Sequence, residues 1–199
     1  MQETIIYVHG KGGSAAEAEH YKRLFPHSEV IGFDYRAQTP WEAQSEFPAF
    51  FADCRKRCDR LTLIANSIGA FLSMSAAIEQ YVDSACFISP IVDMENLIAN
   101  MLRWAHVTEA ELAEKQEIVT SFGETLSWKY LCYVRGHPIV WSVPTRILYG
   151  EGDALTSREV LSAFVKDHRA KLTVMPGGEH WFHTEEQMRF LDGWIGAAE

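Results

Sequence analysis

Ser67 is the residue with the clearest chemical promise. It follows Leu61-Thr62-Leu63-Ile64-Ala65, an apolar run that reads as a buried strand, and it precedes Ile68-Gly69-Ala70, which opens a helical segment. A serine on a sharp turn between a strand and a helix has its Oγ held clear of the sheet edge, where it can act as a nucleophile. The strand and the helix then run close together, so the positions two before and two after the serine must be small. Gly69 meets that demand, and Ala65, where glycine is usual, is the next smallest choice. The same serine would also serve as a plain helix N-cap, so its meaning depends on which other groups can reach it.

A serine hydroxyl is a weak nucleophile until a base takes its proton, and a third group must hold that base in the right tautomer. Two histidines lie in the Gly-rich loop Pro176-Gly177-Gly178-Glu179-His180-Trp181-Phe182-His183. His180 sits deeper in the loop, and His183 directly precedes the helix cap expected at Thr184. Asp153 closes Gly150-Glu151-Gly152-Asp153 after one expected strand, and Asp93 follows an earlier one. Either can supply the acid, while Glu151, nearer the strand, is expected to face away. A further Gly-rich loop, His9-Gly10-Lys11-Gly12-Gly13-Ser14, can aim backbone N–H groups at a developing oxyanion or at a phosphate. It matches neither the phosphate-loop nor the dinucleotide fingerprint. Lys11 is expected to act through its backbone. His180-x-x-His183 is not H-E-x-x-H, and Cys54 and Cys58 lack C-x-x-C spacing, so neither a metal nor a cofactor is expected.

The elements that must position these groups alternate along the chain. Strands are expected at 4–8, 29–33, 61–65, 85–88, 145–149 and 171–175, with helices over 15–24, 40–58, 68–81, 156–168 and 185–195. Uninterrupted apolar strands alternating with helices imply an α/β fold: a mainly parallel sheet of about six strands, with helices on both faces. Thr108-Glu109-Ala110-Glu111, Thr156-Ser157-Arg158-Glu159 and Thr184-Glu185-Glu186-Gln187 have capping-box form. From 91 to 144 the rhythm breaks. No convincing strand is found there, and Met94, Leu97, Ile98, Met101 and Leu102 recur at helical spacing. This stretch is expected to be a helical lid insertion in a single domain covering 1–199. Met101, Trp104 and Trp128 are its candidates for lining a substrate pocket. In sheets of this kind chemistry gathers beyond the carboxyl ends of the strands, and that is where Lys11, Ser67, Asp153 and His180 all fall.

A net charge of −9 argues against nucleic acid and against an anionic membrane surface as partners. No apolar run approaches the ~20 residues of a membrane span. The first residues lead straight into a strand, so a cytoplasmic protein is expected, with its four cysteines as reduced thiols. The expected partner is a small-molecule substrate.

From His9-Gly10 through the Ser67 turn to the His180 loop, nearly the whole chain resembles the α/β-hydrolase family. The resemblance implies hydrolase activity, with Ser67 as nucleophile, Asp153 as orienting acid and His180 as base. It further implies that the N–H groups of Lys11 and Ile68 form the oxyanion hole. Ala65, and the lack of the family's first two antiparallel strands, depart from its pattern. The expected activity is cleavage of a small ester or thioester through an acyl-serine. The alternatives are a non-catalytic small-molecule binding protein on the same scaffold, or an interaction protein that docks through the aromatic insertion.

Overall fold

The structure, a computed structural model, describes residues 2–197. Met1, Ala198 and Glu199, which the expected domain includes, lie outside the described residues. In chain order the elements are β1 (Glu3–Val8), α1 (Glu19–Lys22), β2 (Glu29–Gly32), α2 (Pro40–Arg55), β3 (Arg60–Asn66), α3 (Ile68–Ser75) and β4 (Ser84–Ile88). There follow α4 (Met94–Ala105), α5 (Glu109–Lys115), β5 (Glu117–Val119), β6 (Thr125–Ser127) and α6 (Trp128–Gly136). The chain ends with β7 (Thr145–Gly150), α7 (Arg158–Asp167), β8 (Lys171–Met175) and α8 (Glu185–Gly196).

These elements form two compact units, one of Met1–Val92 with Val140–Glu199 and one of Asp93–Ile139. The first holds a six-stranded sheet in the order β2-β1-β3-β4-β7-β8. Every pairing in it is parallel. Strand alternation divides the core between two faces. On one, Ile5, Tyr7, Ile64, Cys86, Ile88 and Leu148 pack with Tyr21 of α1 and with Leu191, Trp194 and Ile195 of α8. The opposite face presents Ile6, Val8, Leu63, Ala65, Phe87 and Ile147, all fully buried. Both faces are covered, so the interior strands read as unbroken apolar runs.

Local sequence explains most element ends. Thr39 and Glu42 close a capping box on α2, with Pro40 in its first turn. Thr184 and Gln187 do the same for α8. The expected box at Thr156 does not form: Ser157, one residue later, is the N-cap of α7, its Oγ accepting the N–H of Val160, whose side chain cannot reciprocate. Several expected helices are shorter, α2 ending at Arg55 and α7 spanning Arg158–Asp167, and two are cut the most. A 3₁₀ turn at Ala15–Ala18 precedes the single turn of α1. The helix expected over 68–81 stops at Ser75, with Ala77 at a φ of 53° and a 3₁₀ turn at Glu79–Tyr81.

The second unit contains α4, α5 and α6 and also a two-stranded antiparallel hairpin, β5 with β6, where no strand was expected. Three-residue strands are too short to show alternation. Arg135 of α6 bonds both Glu95 of α4 and Glu109 of α5, tying the three helices together. Residues 140–144 belong with the first unit: the Trp141 ring lies 5.6 Å from that of Phe87, and its Nε1 donates to Thr145 Oγ1.

Candidate active site

The turn from β3 into α3 places Ser67 at φ 52°, ψ −120°. A non-glycine residue in that region costs about 1–3 kcal/mol and must be held by its surroundings. The holding bonds are on the backbone. Ser67 N–H donates to Ile88 O at 3.0 Å, and Ser67 O accepts from Ala70 N–H at 3.1 Å and Ile91 N–H at 3.2 Å. The close approach that demanded small neighbours is measurable at Gly69. A Cβ there would stand 2.4 Å from His9 O and 2.8 Å from Val8 O.

His180 completes the chemistry on one side. Its Nε2 lies 2.8 Å from Ser67 Oγ, and its Nδ1 lies 2.7 Å from Asp153 Oδ2. With the proton on Nδ1 the ring donates to the carboxylate, which leaves Nε2 to accept the serine hydroxyl; the two partners assign this tautomer. The Asp153 side chain has no exposed surface, while 21% of the imidazole is open. Buried charge needs hydrogen bonds. Asp153 Oδ1 has two, from the N–H groups of Leu155 at 2.8 Å and Thr156 at 3.2 Å.

The loops carrying the acid and the base are packed backbone to backbone. A Cβ on Gly150 would stand 2.4 Å from Glu179 O. Gly152 N–H donates to Gly178 O at 2.8 Å, and Glu151 N–H to Met175 O at 3.1 Å. The Glu151 carboxylate accepts the Gly177 N–H at 3.2 Å. The exposed Glu151 carboxylate is thus bonded to the start of the His180 loop, while the imidazole itself is paired with Asp153. The partner of Glu151 stands on the neighbouring strand's loop, a relation with no local sequence signal.

The remaining candidates have other partners. His183 Nδ1 is 2.8 Å from Trp181 O, its ring stacks on Trp181, and its N–H donates to Gln187 at the α8 cap. Asp93 is the N-cap of α4, accepting Asn96 N–H at 2.9 Å. Neither bond involves Ser67.

The first Gly-rich loop begins with a tight turn, Gly13 N–H to Gly10 O at 3.1 Å, with Gly12 at φ 75°. Glycine at that place suits a turn needing positive φ. A Cβ on Gly10 would lie 3.2 Å from Ser67 Cβ, so Gly10 borders the serine. Ile68 is the first residue of α3, and its N–H is one of the first-turn donors that have no acceptor within their own helix. The loop is anchored from behind. Tyr35 OH donates to His9 O at 2.8 Å and its ring stacks on His9 at 4.4 Å. Tyr7 OH donates to Glu17 at 2.5 Å. Burial raises the phenols of both tyrosines, that of Tyr35 to about 12, so each remains a neutral donor.

Met101, Trp104 and Trp128 all lie in the second unit. Met101 is half-buried on α4, Trp128 starts α6 half-buried, and Trp104 is 45% exposed with its ring 6.3 Å from that of Phe122. Among the described residues no group of three or more His, Cys, Asp or Glu is placed to hold a metal ion, and no helix is long and apolar enough to cross a membrane.

No family model matches the sequence, and no curated protein matches it. Solved structures do match. Mouse alpha/beta hydrolase domain-containing protein 10 superposes with a TM-score of 0.73 at 19% identity, over 98% of this chain and 88% of that one. Est1E from Butyrivibrio proteoclasticus gives 0.71 at 18%, over 98% and 86%. A serine hydrolase without lid from Xanthomonas campestris gives 0.63 at 18%, over 98% and 79%. Together with the all-parallel six-stranded sheet and the strained serine turn beyond its third strand, these likenesses mean that the chain has the α/β-hydrolase fold.

Proposed function

We propose that the protein is a serine hydrolase that cleaves a small ester or thioester through an acyl-serine intermediate. The observation that carries this reading is the unbroken Ser67–His180–Asp153 hydrogen-bonded chain at the positive-φ turn. Fold relatives described as esterases and serine hydrolases lend further support. In this reading Ser67 Oγ attacks the carbonyl carbon as its proton passes to His180 Nε2. The N–H groups of Lys11 and Ile68 take the oxyanion, each such donor being worth about 2.7–4 kcal/mol in the transition state. Asp153 stabilises the imidazolium. The tetrahedral adduct collapses, and His180 protonates the departing alkoxide or thiolate. Water then enters, His180 takes its proton, and the acyl-serine is hydrolysed to acid and free Ser67.

The test of the reaction is covalent. A fluorophosphonate probe should label Ser67, as mapped by mass spectrometry, and labelling should vanish in His180→Ala. Ser67→Ala should lose at least about 10⁴-fold in p-nitrophenyl acetate hydrolysis with the fold retained. Folded protein that takes up no probe overturns the assignment and favours a non-catalytic binding protein.

A further inference from the structure

Thr156 stands three residues beyond Asp153, at the approach to α7, and is 5% exposed. All of its polar groups are engaged, each with a different part of the first unit. Its N–H donates to Asp153 Oδ1 at 3.2 Å. Its carbonyl accepts the buried Tyr149 hydroxyl at 3.0 Å. Its own hydroxyl donates across the sheet to Pro90 O at 3.2 Å. Pro90 is itself buried, just past the end of β4, and the next residue, Ile91, donates its N–H to Ser67 O at 3.2 Å.

These contacts close a ring. From Ser67 Oγ it runs through the His180 imidazole to Asp153, from Asp153 to the Thr156 backbone, from the Thr156 hydroxyl to Pro90, and through Ile91 back to the Ser67 carbonyl. The acid loop follows β7 and the serine turn follows β3, with β4 between them. The Thr156 hydroxyl is thus the side chain that fastens the acid's loop to the segment holding the serine's backbone. We infer that Thr156 is a positioning residue for the candidate active site. It fixes the separation between the Asp153–His180 pair and Ser67, and touches neither substrate nor the reacting atoms.

This rests on the serine-hydrolase reading for its kinetic consequence, though not for its structural one. Valine matches threonine in shape but lacks the donor, so Thr156→Val loosens the ring without opening a cavity. Displacements of about 1 Å in such sites cost on the order of 100-fold in rate. The expected result for T156V is a kcat about 10- to 100-fold lower for p-nitrophenyl acetate, with KM within about twofold. Thr156→Ser, which keeps the hydroxyl, should restore most of the rate. A second readout needs no turnover: the low-field proton resonance of His180 Nδ1–H, held by Asp153, should broaden in T156V and stay sharp in T156S. If T156V does not fold, Thr156→Ala takes its place in both measurements. A T156V protein with wild-type kcat and an unchanged resonance overturns the proposal, as does a T156S protein no better than T156V. Absence of phosphonate labelling in the wild type would sink the hydrolase reading instead, and the resonance comparison would still decide the role of Thr156.

Discussion

In the proposed reaction Ser67 carries two demands that pull against each other: a reactive hydroxyl and a backbone angle that non-glycine residues avoid. Two replacements separate them. Both Ser67→Ala and Ser67→Gly remove the hydroxyl, but only glycine is at ease at φ 52°. Ser67→Gly should therefore be more stable than Ser67→Ala by about 1 kcal/mol in denaturant unfolding, with both inactive. Asp153 makes a complementary case. Asparagine keeps the shape, and its amide can meet His180 Nδ1 with a donor, which favours the wrong tautomer. Asp153→Asn should lower kcat by about 10⁴-fold with KM little changed. Gly69 allows no side chain at all: its Cβ would fall 2.4 Å from a backbone carbonyl oxygen, so Gly69→Ala should cost about 1–3 kcal/mol and much of the activity. A Gly69→Ala variant with wild-type melting behaviour would contradict the close passage of α3 over the first loop.

At the level of elements, α8 offers two clean measurements. Thr184 caps it and reciprocates with Gln187, so Thr184→Ala should cost about 1 kcal/mol. Gly193 lies inside the same helix, exposed, with no neighbouring element within 4 Å of where a Cβ would sit. Gly193→Ala should stabilise by about 0.5–1 kcal/mol, read as a raised melting temperature. The contrast with Gly69 is that one glycine is required by its neighbours and the other is not. The elements written plainly in the sequence were those with local signatures: the apolar strands, and the boxes at Thr108 and Thr184. The turn at Ala15 carries a box of its own, Ser14 with Glu17, but a box does not tell 3₁₀ from α; the early end of α3 has no mark at all, since Ala76-Ala77 reads as helix and only the tertiary packing sets its angle. The hairpin of β5 and β6 is too short to have a period. The site divides in the same way. Ser67, Asp153 and His180 stand out because each is a residue of the right chemical type in a loop that follows a strand. Glu151 also follows a strand, but its role, like those of Tyr7 and Thr156, depends on a partner that the fold brings close.

For the molecule as a whole, the distribution of thiols gives a direct check on the layering. Cys54 and Cys86 are buried, and burial pushes both thiols up, whereas Cys132 is exposed. The thiolate is the reactive form. Cys132 should react readily with a thiol reagent in native protein, and Cys54 and Cys86 only after unfolding. Modification of Cys86 at the rate of Cys132 would be incompatible with its place between the sheet and α8. The sheet order has a further consequence. Hydrogen-bonded neighbours β4 and β7 are joined by a segment that includes the whole of Asp93–Ile139. The entropy lost in closing a flexible loop grows only with the logarithm of its length, so halving this one would recover just about 0.6 kcal/mol. The junction after β4 is thus a point where chain can be added or removed at little thermodynamic cost to the strand pairing, so the sheet places almost no limit on the size of what sits there.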